Sequence, residues 1–417
     1  MKRLLIVSYY WPPTGGSGVQ RWVKFSKYLP QYGWQPVIYT PENPERLAYD
    51  ESLLADVPEC AEVIRTHINE PYGIYRRLTG KKGAGAEVNP VRGGGKTAVQ
   101  KLSLWLRGNL FVPDPRVSWV GPSVRFLKRW LSEHPVDAMV TTGPPQSMHL
   151  IGLGLKKALG LKWIADFRDP WTEMFYYKHL ELSRCADRRH RRLEQQVLDG
   201  ADMVIAVTPY VRDDFAARTK TPVALITNGF DEDDFAGVRP AVHEGKFTIV
   251  HTGLFAADGN PLNLWDVLAE RCAGDPEFAR KLQIRLAGKT DSAVVEAIRA
   301  RGLGANLVDL GYLPHDEVTA EQTGADILIL PLRQEPEYAK VLPGKIFEYL
   351  ASGRPVLGIG QEDGAAAEVL RDSGAGEMFG WDRRDGLMDF ICGARGGASG
   401  IGKYSRRALT EKLVELL

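Results

Sequence analysis

The chain carries two successive series of short apolar runs, each run followed by a loop and then by a segment of helical periodicity. The first series begins at Leu4 to Tyr9 and continues through Gly33 to Thr40, Pro135 to Pro145 with its closing loop, Leu161 to Trp171 with its charged end, and Ala201 to Thr208, and Val223 to Asp231 closes it. Helical spacing falls between these runs, over Gln20 to Leu29, Gln146 to Leu159, Arg184 to Leu198 and onward from Tyr210. The series restarts at Phe247 to Phe255 and runs through Leu282 to Gly288, Leu307 to Gly311, Ala325 to Leu330 and Pro355 to Ile359. Its helices are expected over Leu264 to Cys272, Asp291 to Ala300 and Glu317 to Thr323. Short apolar runs alternating with helices predict parallel strands buried on both faces, with helices covering the sheet. The fold class expected is α/β, as two doubly wound domains over 1–235 and 236–403, followed by an amphipathic helix over 404–417.

A length of 417 residues suits two or three such domains, each with a sizeable core. Charge separates the halves. Residues 1–230 hold 32 Lys and Arg against 22 Asp and Glu, and the remainder holds 21 against 30. A basic first half fits an anionic lipid surface or a pyrophosphate-linked substrate. No nucleic-acid motif accompanies it. Cys60, Cys185, Cys272 and Cys392 are far apart and form no Cys-x-x-Cys. They predict reduced, buried thiols in a cytoplasmic protein rather than a disulfide frame or a zinc site. The apolar run after Met1-Lys2-Arg3 stops at Ser8 with no cleavage site, so it reads as a first strand rather than a signal peptide. Gly93-Gly94-Gly95-Lys96-Thr97 lacks the first glycine of a P-loop, where Pro90 stands, and lacks a preceding strand. Lys81 to Lys96 reads as a loop.

Three places put chemistry at the ends of the runs. The loop Trp11 to Val19 contains Gly15, Gly16 and Gly18 between a strand and a helix, an order that points backbone N–H groups at a ligand. A bare strand-to-helix connection has the same composition. Asp166, Arg168 and Asp169 close the run from Leu161, where α/β proteins bind ligands. They can hold an acceptor hydroxyl and balance their own charge, or form a structural Arg/Asp pair. The third place is Pro343 to Leu357, read as a short helix and a buried strand. Lys345 and Glu348 share one face of its first turn, a cation for phosphate and a carboxylate for a ribose diol. A solvated Lys/Glu pair fits the spacing too. Asp231-Glu232-Asp233 spells Asp-x-Asp but follows Asn228-Gly229, which favours an acidic turn. Val99 to Phe111 and Val124 to Leu131 mix aromatic with basic residues, which suits either packed helices or helices lying on a membrane.

Lys-x-x-Glu-Tyr-Leu-Ala-x-Gly-x-Pro-Val, from Lys345 to Val356, resembles the nucleotide-sugar site of the family 4 group of retaining GT-B glycosyltransferases. The stretch from Thr142-Gly143-Pro144-Pro145 to Asp166-Phe167-Arg168-Asp169-Pro170-Trp171 resembles a subgroup that builds surface polysaccharides. Asn228-Gly229-Phe230-Asp231 matches the turn at the family's domain junction, so the resemblance covers most of the chain. It implies two Rossmann-like domains facing an interdomain cleft, the first for the acceptor and the second for the nucleotide sugar. It implies that Gly15 and Gly16 approach the donor phosphate and acceptor, and that phosphate lies near Gly253 and Lys345. The base is implied near Tyr312 and Leu313, and the last helix is implied to cross back to the first domain. Two departures stand out. Many members carry Arg and Lys after the first strand of the second domain, where this chain has Leu254 and Gly259-Asn260-Pro261. Many carry a Glu eight positions before the helix Glu, where this chain has Lys340.

The function expected is transfer of a sugar from a nucleotide diphosphate to a hydroxyl of a glycan or a polyprenyl-pyrophosphate-linked acceptor. The sugar would be a hexosyl or N-acetylhexosaminyl group, moved with retention. Lys345, Glu348 and Asp169 form the expected catalytic set, without metal and without a cofactor beyond the nucleotide sugar as co-substrate. An anionic membrane surface is the expected docking partner of the basic half. Two other readings share the architecture. A nucleotide-sugar epimerase needs an acid/base set, and the 8 histidines show no clustering in sequence. A binding protein without turnover would fit the two departures.

Overall fold

The computed structural model describes residues 1–45, 49–70, 105, 108–174, 177–394 and 396–417. The Lys81–Lys96 loop, the Gly93–Thr97 run and most of the Val99–Phe111 helix lie outside these. The chain divides into two compact units, Met1–Thr227 with Leu409–Leu417, and Asn228–Ala408. Each has its own parallel sheet.

The first unit is built on β1 (Lys2–Val7), β2 (Trp34–Pro41), β3 (Glu62–Thr66), β4 (Ala138–Gly143), β5 (Trp163–Phe167), β6 (Met203–Ala206) and β7 (Val223–Leu225). These 7 strands lie in the order β3-β2-β1-β4-β5-β6-β7, every neighbouring pair parallel. The apolar run of β1 serves two cores, because successive side chains of a strand point to opposite faces. Leu5 and Val7 pack with Met139, Met148 and Trp163. Leu4 and Ile6 pack on the other face with Val19, Trp22 and Val23 from the helix Ser17–Tyr28. Leu409 and Leu413, one turn apart on the helix Arg406–Leu416, join that second core. The strand β3 has mixed composition and only partial burial, as an edge strand can.

The second unit is built on β8 (Phe247–Thr252), β9 (Leu282–Ala287), β10 (Leu307–Gly311), β11 (Ile327–Pro331), β12 (Val356–Ile359) and β13 (Gly376–Phe379). Its 6 strands follow the order β10-β9-β8-β11-β12-β13, again all parallel. In both sheets the order reverses once, between β1 and β4 and between β8 and β11. Ligands of open α/β sheets bind outside the strand C-termini at such reversals.

The most buried charges of the first unit are structural. Arg21 and Asp166 are 1% and 0% exposed. Arg21 donates to both carboxylate oxygens of Asp166, at 3.1 and 2.8 Å, and to the carbonyls of Thr227 and Ile226. Trp22 and Thr142 donate to the same carboxylate at 2.7 and 3.0 Å. Burial opposes ionisation of Asp166, but Arg21 and then Trp22 outweigh it and hold the carboxyl below its usual range. The hub ties the helix Ser17–Tyr28 to β4, β5 and the segment after β7. The expectation that Asp166 meets an acceptor hydroxyl is therefore corrected, because both of its oxygens are taken inside the unit. The cysteines are unpaired, and Cys185 and Cys392 are exposed rather than buried.

Asp166→Asn leaves Arg21 buried with its charge unmatched. Urea unfolding at neutral pH should show a loss of about 3–5 kcal/mol. The carboxyl is depressed in the fold, so its contribution is present at neutral pH and is lost as pH falls through its folded value. An unchanged unfolding midpoint at pH 7 would contradict the structural role.

Candidate functional site

At the reversal in the first unit, the chain leaves β1 into a loop that ends in Gly15 and Gly16. Gly15 is buried and Gly16 exposed. Gly16 precedes the helix Ser17–Tyr28 with φ 101°, a conformation that favours glycine. The neighbouring loop, after β4, begins at Gly143-Pro144. Arg168, just past β5, joins the first turn of that helix to the second loop. Its guanidinium donates to the carbonyl oxygens of Gly18, Pro144 and Gly143. A guanidinium spreads its N–H groups over three nitrogens in a fixed planar fork, so it can reach carbonyls that lie too far apart for the single nitrogen of an ammonium. Arg168 thus holds the first turn of the helix that follows the glycine loop beside Gly143-Pro144 and is not turned outward to an acceptor, which corrects its expected role. Asp169 is different. It is half-buried, and among the described residues no hydrogen bond reaches its carboxylate. Burial raises its pKa to about 6, with Arg168 opposing.

At the reversal in the second unit, one face of the helix Lys345–Ala351 turns to the end of β8. Residues 345, 348 and 349 share that face by helical spacing. The Lys345 ammonium lies 3.3 Å from His251 Nε2 and 3.3 Å from the Leu254 carbonyl oxygen. Tyr349 Oη accepts the Thr252 backbone N–H at 3.0 Å. Gln322 Nε2 donates to Glu348 Oε2 at 3.1 Å and to Thr252 Oγ1 at 3.0 Å. The opposite face buries Ile346, Phe347 and Leu350. Gly253 (φ +95°) lies beside this helix, and a Cβ there would stand 3.3 Å from Lys345 Nζ. A Cβ on Gly288 would strike the Gly253 carbonyl oxygen at 2.4 Å. The ends of β8, β9 and β10 therefore run backbone against backbone, with Gly253 donating to Ala287 and Gly288 donating to Gly311. Tyr312, next after β10, is 84% exposed, and Leu313 is half-buried.

Residues 16–234 match the family model described as Glycosyltransferase Family 4, and residues 247–392 match the one described as Glycosyl transferases group 1. The chain belongs to glycosyltransferase family 4. A curated relative, the 2-deoxystreptamine N-acetyl-D-glucosaminyltransferase of Streptomyces fradiae, is 38% identical over 63 residues, 15% of this chain. The matched stretch spans only 14% of that relative's length. Among solved structures, the sucrose-phosphate synthase of Thermosynechococcus elongatus superposes with a TM-score of 0.64 at 14% identity, over 100% of this chain and 98% of that one. WaaG, a glycosyltransferase involved in lipopolysaccharide biosynthesis, gives 0.55 at 13% identity, over 98% and 93%. The two parallel-sheet units have the GT-B fold.

Within this family 4 chain, the departures read from the sequence take definite form. Leu254 offers its carbonyl, not its side chain, to Lys345, and the side chain is 60% exposed. Lys340 ends a short turn of 3-10 helix and is exposed. Arg333, past β11, is spent on Asp258 at 2.9 Å. Lys289 is a cation that the sequence reading passed over. It is exposed just past β9, and its carbonyl oxygen accepts the Phe255 N–H. His251 and Gln322 were passed over as well, since each reaches the site across a long stretch of chain. Asp231 caps a turn at Glu232–Asp234 by accepting the Asp233 N–H, as an acidic turn would.

Arg168→Lys keeps the charge but replaces the three nitrogens that each reach a different carbonyl by one. Amide exchange of Val19, whose N–H bonds the Gly16 carbonyl, should quicken by about tenfold or more if the fork is worth the usual 1–2 kcal/mol. Unchanged exchange there would show that the glycine loop holds its shape without the fork.

Proposed function

We propose that the chain transfers a sugar from a nucleotide diphosphate to a hydroxyl of a glycan acceptor. The observation that carries this reading is the face of the helix Lys345–Ala351, which sets an ammonium and a carboxylate at the strand reversal of the second unit. Departure of a diphosphate needs positive charge where negative charge grows. Lys345 supplies it, and the exposed Lys289 and Lys340 are further cations of the same unit. Glu348, with one oxygen held by Gln322, offers the other to the ribose diol. Tyr312 and Leu313 meet the base. Gly15 and Gly16 present backbone to the donor phosphate and the acceptor. Asp169 orients the acceptor hydroxyl.

The acceptor oxygen bonds to the anomeric carbon as the bond from that carbon to the diphosphate breaks. The electron pair leaves with the diphosphate, whose oxygen takes the acceptor's proton. Attack and departure on one face give retention. The short similarity to an N-acetylglucosaminyltransferase favours a hexosyl or N-acetylhexosaminyl donor. A lipid-linked acceptor agrees with the exposed Arg184, Arg188, Arg189 and Arg192 on the helix Arg184–Gly200, which would meet an anionic membrane surface. No helix among the described residues is long and apolar enough to cross a membrane.

Incubation with a panel of nucleotide sugars, with no acceptor added, tests the class of reaction. Slow release of nucleoside diphosphate is expected. An epimerised sugar would favour an epimerase, and binding without turnover a non-catalytic protein. Lys345→Ala and Glu348→Ala should each cost about 2–4 kcal/mol of transition-state stabilisation in kcat/KM, with unchanged circular dichroism. Full rates in both would remove the site.

The pH profile tests Asp169. Its carboxyl is ionised above about 6 and neutral below. Transfer should fall on the acid side of that value, and Asp169→Asn should lower the rate and flatten the limb. A limb that persists in the variant belongs to another group.

A further inference from the structure

We infer that His251 is the positioning residue of Lys345: its neutral imidazole, locked in one tautomer, accepts a hydrogen bond from the ammonium and so helps aim the one N–H group left free at a diphosphate. The ligand named here rests on the proposed donor site, but the geometry of the pair does not.

His251 lies on β8 and is 0% exposed. Its Nδ1 is 3.1 Å from the Ile329 carbonyl oxygen of β11, and its Nε2 is 3.4 Å from the Leu254 carbonyl oxygen. A carbonyl can only accept, so the better contact places the imidazole proton on Nδ1. The opposite tautomer would set a lone pair against the Ile329 oxygen inside the core. With Nδ1 protonated, Nε2 is a lone pair and needs a donor. Lys345 Nζ stands 3.3 Å from it and 3.3 Å from the Leu254 oxygen. The ammonium is therefore the shared donor between two neutral acceptors. An ammonium has three N–H groups, so two are engaged and one is left for a ligand. Phe255 packs against the imidazole at 4.5 Å between ring centroids, which fixes the ring plane.

Charge selects the same arrangement. Burial, and then Lys345, hold His251 well below its ordinary value. A second positive charge 3.3 Å from the ammonium would be repelled, so the pair carries one charge, on the lysine. Burial lowers Lys345 to about 8, with Glu348 opposing. The titratable groups facing the ammonium are His251 from β8 and Glu348 from its own helix. Gln322, from the helix His315–Gly324, is neutral and faces Glu348. A bound diphosphate favours the ammonium, so its binding above pH 8 should take up a proton.

The test uses the full chain, 15N-labelled at histidine and 13C-labelled at lysine, with UDP, GDP and inorganic pyrophosphate as probes in calorimetry. His251→Phe keeps most of the volume and removes the acceptor. His251→Gln keeps an amide oxygen that can accept. In the unaltered protein the 15N spectrum should show Nε2 as the unprotonated nitrogen near pH 7. The Lys345 titration midpoint should drop in His251→Phe, because a hydrogen bond to the charged form is lost. Affinity for the diphosphate probes should weaken about tenfold in His251→Phe and return to within about threefold in His251→Gln, the size expected for one hydrogen bond to a charged donor. A protonated Nε2, or an unmoved Lys345 midpoint in His251→Phe, would overturn the assignment. So would a Gln variant as weak as the Phe variant. If no probe binds the unaltered protein but the tautomer and the midpoint shift are as stated, the positioning stands and the donor site fails. If His251→Phe does not fold, the tautomer and the Gln variant still decide.

Discussion

Lys345 carries a positive charge whose direct hydrogen-bond partners are both neutral, an imidazole and a carbonyl. The rest of the second unit is arranged to hold that charge in place. Tyr349 pins its helix to the end of β8, Gln322 turns Glu348 onto the same face, and Gly253 leaves room for the side chain. A cation already matched by a carboxylate would have little left for a ligand. The first unit shows the contrast. Arg21 is cancelled by Asp166 and is sealed inside, and Arg168 is spent on three carbonyl oxygens. These are three cations with three uses, and the partner of each decides which.

The reversal of strand order sets the local geometry at the strand ends of each unit. Two parallel strands whose connections leave in opposite directions open a gap at their C-terminal ends. In the first unit this gap is lined by the glycine loop and by Gly143-Pro144, with Arg168 joining Gly143-Pro144 to the first turn of the helix after the glycine loop. In the second it is lined by Gly253, Leu254 and the segment leading to Lys345. Hydrogen bonds between side chains and backbone set the shape of both, so little reorganisation should accompany binding.

Much of this is legible in the amino-acid order because it is local. Leu4 to Val7 is apolar at every position, and only a strand covered on both faces needs that. Lys345, Glu348 and Tyr349 share a face by helical spacing alone. The edge strand β3 is not legible, since Glu62 and Arg65 break the apolar pattern, and the short β13 is marked by little beyond Met378 and Phe379. Partners far apart in sequence are hidden too. Asp166 is claimed by Arg21 from 145 positions away, and Lys345 by His251 from 94. A charge at the end of a strand announces a crevice but not whether a distant side chain has already taken it. That is why Asp166 and Arg168 read as ligands and prove to be structural, while the Asp169 carboxylate accepts no hydrogen bond from the described residues.

A crystal structure of the chain with a bound nucleoside diphosphate tests the central claim most directly. The account predicts diphosphate oxygens within hydrogen-bond distance of Lys345 Nζ, and both ribose hydroxyls on Glu348. A nucleotide seated elsewhere, with the Lys345 ammonium still facing only His251 and Leu254, would contradict it.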